Sequence, residues 1–244
     1  FANKVNSIGR MFMTKKLIII TFLMLFIGNI GAEAKTYKMV FVPASEKGDE
    51  SDYKSLIEIT EKLTELNIDT IKVTDYNAAV EAMRAGRAHI AWYGGKTYVK
   101  AAEIANAEAF AAGVRPGEKD AGYFTYFVVK KNSKLKEFKD AKGKVLSLNT
   151  IGSTSGDLIP QVELSKINLS IKNKHDFEKV FYAGSHDACL LAVLNNQSDV
   201  CGMSSRNFEA RLEDGTFKKE DVRIIHKSDR VPPPPLAYSK MIPK

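Results

Sequence analysis

The rhythm of the apolar residues most constrains this chain. Short β-branched and aromatic runs alternate with stretches that are apolar at helical spacing. Tyr37–Val42 reads as a strand stopped by Pro43. From Tyr53 to Leu66, apolar residues at 53, 56, 57, 59, 63 and 66 make one helical face. Ile68–Val73 is a strand, Asn77–Ala85 a helix closed by Gly86, His89–Tyr93 a strand and Thr97–Ala105 a helix. After a strand at Tyr123–Lys130 the pattern recurs. Val145–Leu148, Val180–Tyr182 and Asp199–Met203 read as strands. Helical runs follow each of them, the second over His186–Leu194 and the third over Asn207–Leu212. Val222–Ile225 and Leu236–Tyr238 are the last strands, and the prolines at 232–235 force an extended segment between them. Such alternation implies an α/β fold with largely parallel sheets. Two similar blocks, near 37–115 and 144–212, are linked at Tyr123–Lys130 and Val222–Leu236. A chain that enters a second lobe once and returns once makes two lobes with a cleft. Ligands of open α/β sheets bind beyond the carboxyl ends of the strands.

Four strand-to-helix turns carry small or hydroxyl residues: Pro43-Ala44-Ser45, Tyr93-Gly94-Gly95, Gly152-Ser153-Thr154-Ser155-Gly156 and Gly184-Ser185-His186. In parallel sheets all four face one edge. Their N–H and O–H donors suit a small oxyanion. Ser153 or Thr154 could equally serve only as an N-cap. Pro160 bears on that choice. A cap at Thr154 puts Pro160 inside the helix. A cap at Asp157 puts it in the tolerated first turn and leaves Ser153–Gly156 as an open loop. His186 would open its helix behind the cap Ser185, as a neutral or charged donor. Tyr93 could aim its hydroxyl into the cleft or simply pack along its strand. Asp187 reads as a helix-dipole carboxylate, and Lys96 could add charge to the site but reads more simply as a solvated lysine. Gly95-Lys96-Thr97 is not a P-loop, because position 90 is Ile. Gly152–Gly156 is not a hydrolase elbow, because its centre is Thr154. Asp187 is adjacent to His186 on a helix and so cannot readily orient its ring for Ser155.

Met11–Ala34 has a basic start at Lys15-Lys16, an apolar Leu17–Ile27 and an Ala32-Glu33-Ala34 cleavage site. This is the pattern of a secretory signal peptide, with Lys35 beginning the mature chain. Phe1–Arg10 look like translated upstream sequence, and the end at Lys244 suggests a truncated fragment. Residues 1–34 hold +3 of the formal charge of +7, leaving +4. That mild value argues against a nucleic-acid partner. Cys189 and Cys201 fall in a helix and the next strand, either as a disulfide or as two buried thiols. Two cysteines without clustered histidines do not make a metal site.

Ala91-Trp92-Tyr93-Gly94-Gly95-Lys96-Thr97-Tyr98-Val99, Ser153-Thr154-Ser155-Gly156 and Gly184-Ser185-His186-Asp187-Ala188 occur in that order. Together they resemble the periplasmic substrate-binding proteins of phosphonate/phosphite-type ABC transporters, over residues 37–240. The resemblance implies a two-lobed Venus-flytrap fold of type II with two crossover hinge strands. Lobe 1 would comprise 35–122 and 225–244, and lobe 2 123–224. It implies a non-enzymatic, monomeric protein without cofactor that binds a phosphonate, phosphite or similar oxyanion and serves a membrane permease. Tyr93, Ser153, Thr154, Ser155 and His186 would be its ligand contacts. A ligand sensor of the same fold is the alternative, and a periplasmic hydrolase a more distant one. Relatives that bind aminoalkyl phosphonates carry acidic residues for the amine, where this chain has Met203-Ser204-Ser205. Relatives also continue past the last strand with helices.

Overall fold

The computed structural model describes residues 36–45, 49–114, 119 and 121–242, with backbone alone for 49–52. The expected signal peptide and the ten residues before it lie outside the described residues. The strands are β1 (Thr36–Phe41), β2 (Asn67–Ile71), β3 (Ile90–Trp92), β4 (Ala107–Ala112), β5 (Thr125–Lys130), β6 (Val145–Leu148), β7 (Lys179–Tyr182), β8 (Val200–Ser204), β9 (Val222–Lys227) and β10 (Pro235–Ser239). The helices are α1 (Asp49–Thr64), α2 (Tyr76–Arg84), α3 (Gly95–Ile104), α4 (Ile159–Lys166), α5 (His186–Leu194) and α6 (Ser205–Glu213).

The strands form two five-stranded sheets, ordered β2-β1-β3-β10-β4 and β7-β6-β8-β5-β9. In the first, β1 pairs in parallel with β2 and β3, and β10 runs antiparallel between β3 and β4. In the second, β6 pairs in parallel with β7 and β8, and β5 runs antiparallel between β8 and β9. The two sheets therefore share one plan, and each takes its fourth strand from the far side of a crossover. The fold is the expected two-lobed α/β architecture. β9 stays in the second sheet as far as Lys227, beyond the expected return at 225. The crossovers meet at Tyr123 and Val231, which exchange backbone hydrogen bonds of 3.1 and 2.7 Å.

Each sheet buries both faces, as the period-2 direction of strand side chains requires. In the first sheet, Val40, Ala91 and Tyr93 pack on Ala79, Val80 and Met83 of α2. Met39, Phe41 and Ile68 pack with Ile57 of α1 on the other face. In the second sheet, Phe127 and Val129 join Leu146, Leu148 and Leu164, while the intervening Val128 joins Leu190, Met203 and Phe208. Truncating a fully buried leucine such as Leu146 would cost about 2–5 kcal/mol. Cys189 of α5 and Cys201 of β8 form a disulfide, with Cα atoms 5.6 Å apart, that pins the helix to its sheet.

Sequence-derived and observed elements differ mainly at their ends. The exception is β4, an alanine-rich edge strand of which only Ala107 is buried, which the apolar pattern does not reveal.

Candidate functional site

The parallel strands of both sheets end on a shared cavity of about 560 Å³. All four small-residue turns contribute to its wall, the first three through Ala44 and Ser45 after β1, Gly94 after β3, and Ser153, Thr154 and Ser155 after β6. From the fourth, His186 contributes, and Ser204 at the end of β8 joins it.

The loop after β6 takes the Ser153 cap, and it continues as a wide turn that neither a cap at Thr154 nor one at Asp157 describes. Ser153 is the N-cap, and its Oγ accepts the Gly156 N–H at 3.1 Å. One turn of π-helix, Thr154–Leu158, then leads into α4, so Pro160 falls in the first turn of that helix. Asp157 caps nothing at α4; its carboxylate turns back to accept the Gly152 N–H at 3.0 Å. Gly156 is required by close approach. A Cβ there would lie 2.3 Å from the Asn149 Cβ and 2.9 Å from the His186 Cε1.

Ser153, Thr154 and Ser155 are all buried in the wall. The Ser153 Oγ also accepts from Asn149 Nδ2 at 3.3 Å. With both lone pairs engaged, that hydroxyl keeps only its hydrogen to give. The Thr154 Oγ1 accepts the Lys96 N–H at 2.9 Å and likewise keeps a hydrogen to donate. Backbone N–H groups at the start of the turn add donors without helical partners.

His186 opens α5 behind Ser185, whose Oγ accepts the Ala188 N–H at 2.9 Å. The ring is 2% exposed, and burial pushes its pKa down to about 3. Its Nδ1 accepts the Ser204 N–H at 3.2 Å. The neutral ring therefore carries its proton on Nε2, as a donor.

Tyr93 stands elsewhere. It is fully buried in the α2 core, where its hydroxyl donates to the Ala79 carbonyl at 3.3 Å and lies 3.6 Å from Met83 Sδ. Burial pushes its phenol pKa up. The strand alternation turns its neighbour Trp92 to the cavity instead. Two other tyrosines line the site. Tyr76 opens α2, and its hydroxyl accepts from Asn149 Nδ2 at 3.4 Å. Tyr123 stands at the crossover; burial raises its pKa, while the Ser155 hydroxyl, the Arg206 charge and the Thr154 hydroxyl pull against that rise.

Lys96 is not merely solvated. Its Nζ lies 2.6 Å from Asp157 Oδ2, which is almost wholly buried. Asp157 also accepts from Tyr182 at 2.8 Å and from Gln161 at 2.7 Å. Burial alone would raise the Asp157 pKa. Hydrogen bonds from Lys96, Gly152 and Tyr182 outweigh burial and hold it below the usual carboxylate range. Thr97 Oγ1 donates to the Gly152 carbonyl at 2.9 Å, and the His186 N–H donates to the Ala44 carbonyl at 3.1 Å. The two lobes thus meet directly around the cavity.

A family model described as the periplasmic substrate-binding protein of phosphonate ABC transporters matches residues 39–244. The chain belongs to this family. It is 28% identical over 201 residues to a phosphonates-binding periplasmic protein of Escherichia coli, covering 80% of this chain and 58% of that one. It is 26% identical over 206 residues to a phosphate-import protein of Mycolicibacterium smegmatis, covering 81% and 64%. The chain thus spans less than two thirds of these relatives. A Prochlorococcus marinus protein solved with methylphosphonate superposes with a TM-score of 0.75 at 23% identity, covering 85% and 77%. That likeness shows the shared fold.

Tyr76, Tyr123, Arg206 and Arg211 line the cavity but carry no local motif. Only the strand-end logic could have pointed to Tyr76 and Tyr123, which flank a strand end and a crossover. Arg206 and Arg211 share one helical face with Asn207 and Ala210, a signal legible once α6 is known to border the cleft.

Proposed function

We propose that this protein is the solute-binding component of an ABC importer and holds a phosphonate or kindred tetrahedral oxyanion between its lobes. The observation that carries this reading is the donor set. The Ser153 hydroxyl has both acceptor sites occupied by protein donors, the Thr154 hydroxyl has one of its two occupied, and His186 presents a neutral N–H beside them. Such a set is weighted toward hydrogens over free lone pairs, which suits an anion that only accepts. Closure by hinge motion at the paired crossovers would bury the ligand. Hydrolysis fits poorly, because Nε2 of His186 carries a proton and cannot act as base toward a serine.

On this reading residues 11–34 are cleaved on export, and the monomeric protein delivers its ligand to a membrane permease. N-terminal sequencing of the secreted chain tests the cleavage at Lys35. Calorimetry with methylphosphonate, phosphite, phosphate and sulfate tests the ligand class. Binding of at least one phosphorus oxyanion at micromolar concentration is expected, and it should weaken at least tenfold in Ser153→Ala. No heat with any phosphorus oxyanion at millimolar concentration overturns the proposal.

A further inference from the structure

The cavity is much larger than a bare tetrahedral oxyanion. Methylphosphonate has four water-sized outer atoms, which need roughly 120 Å³ at about 30 Å³ each. Several hundred of the approximately 560 Å³ lie beyond the donor set. Two unlike walls bound that remaining space. On the first lobe, Phe41, Tyr53 and Trp92 form a stack with successive ring centroids 4.6 Å apart. On the second lobe runs the α6 face with Arg206, Asn207 and Arg211. The charged side chains that line the cavity among the described residues are these two arginines.

Arg211 is the more telling of the pair. It is 7% exposed, yet it contributes to the cavity wall. Helical side chains point back toward their N-terminus. Accordingly its guanidinium reaches toward the first turn of α5, with Nε 3.8 Å from Asp187 Oδ1, and Asp187 follows His186 directly. Its Nη1 lies 3.1 Å from Asp214 Oδ2. Neither contact satisfies the directional requirement of a hydrogen bond: Nε and Nη1 are buried donors without acceptors. Leaving such donors unmet is costly. Neither carboxylate lines the cavity.

We infer that the ligand's substituent carries a carboxylate a few atoms from phosphorus, read by Arg211 and Asn207, with its aliphatic carbons against the aromatic wall. The preferred class is a phosphonocarboxylate, not an aminoalkyl phosphonate. This rests on the function proposed above. An ammonium would be placed against two guanidinium groups, whereas a carboxylate would supply the missing acceptors. The planar donor geometry of the arginine fork matches carboxylate.

The test is calorimetry with ligands of matched length: methylphosphonate, propylphosphonate, 3-phosphonopropionate and 3-aminopropylphosphonate. On the wild-type chain, 3-phosphonopropionate should bind about tenfold more tightly than 3-aminopropylphosphonate. Arg211→Met should collapse that ratio to about one, and Asn207→Ala should reduce it. The readout is the ratio, which a uniform loss of affinity does not move. Should Arg211→Met fail to fold, the wild-type series and Asn207→Ala still decide. Methylphosphonate binding with the amine ligand bound as tightly as the carboxylate, or more so, overturns the inference and leaves the proposed function standing. An unchanged ratio in Arg211→Met also overturns it. No binding of any ligand, methylphosphonate included, overturns the underlying function instead.

Discussion

Lys96 is the place to test how the lobes hold together. Asp157 receives four donors: Gly152, Tyr182 and Gln161 from its own lobe, and Lys96 from across the cleft. Opening the cleft therefore breaks one of the four and leaves three intact. A hydrogen bond to a charged group contributes about 1.5–3 kcal/mol when buried, and an exposed ion pair contributes below about 1 kcal/mol. Here the carboxylate is 2% exposed and the lysine 36%, so we place the contribution between these cases, at about 1–1.5 kcal/mol. Lys96→Met removes it from the closed form alone. Methylphosphonate affinity should fall about five- to thirteenfold, chiefly through faster dissociation. The midpoint of thermal unfolding without ligand should move little. Stopped-flow dissociation and calorimetry measure the two arms. The Asp157 carboxyl is held below its ordinary range, so its contribution is present above the unfolded value and disappears only as pH falls through the lower folded one. The fold-loss of affinity in Lys96→Met should therefore stay constant between about pH 5 and 8. Affinity within twofold of wild type would refute the argument that this pair holds the closed form.

Further measurements bear on other parts of the molecule. Tyr93→Phe should leave methylphosphonate affinity unchanged and cost about 0.5–1.5 kcal/mol of stability, since its hydroxyl bonds within the core; a large loss of affinity would return Tyr93 to the site. Replacing Cys189 and Cys201 by alanine opens a loop of sequence separation 12. That should cost about 3 kcal/mol, or roughly 6–12 °C in thermal midpoint; an unmoved midpoint would contradict the bond's role. His186 stays neutral in the folded chain down to about 3, while the unfolded chain protonates near its ordinary value. Its contribution to stability is thus complete above about pH 6.5 and is lost progressively as pH falls toward about 3. His186→Gln should flatten that part of a stability-versus-pH profile; an unchanged slope would show that the ring is protonated in the fold.

The sequence carried the architecture because the evidence for it is local. Ser185 and the apolar run behind it define α5 at both ends, and the strand-to-helix turns mark which sheet edge bears donors. Tyr93 shows where local evidence ends. Trp92 and Tyr93 are both aromatic and adjacent, so periodicity alone cannot tell which of them faces helix α2. That is decided by Met83 and Ala79, which shape the hole that Tyr93 fills. Lys96 failed for a similar reason. Its partner lies 61 residues away, on a turn whose π-helical geometry the residue types do not announce. Arg211 is invisible as a site residue until α6 is placed against the cleft.

The shared plan of the two sheets has a consequence for the order of assembly. β10 fills a slot between β3 and β4, and Trp92 waits for Leu236. The first sheet is thus begun by β1 to β4 and joined across its middle only by Pro235–Ser239, which follow the whole second lobe. The second lobe, from β5 to β9, is continuous and can close on itself first. Until Pro235–Ser239 arrives, the β3 edge stays open and β4 has no partner, and pairings this distant are slow to form. The lobe that starts earliest is the one that cannot finish early.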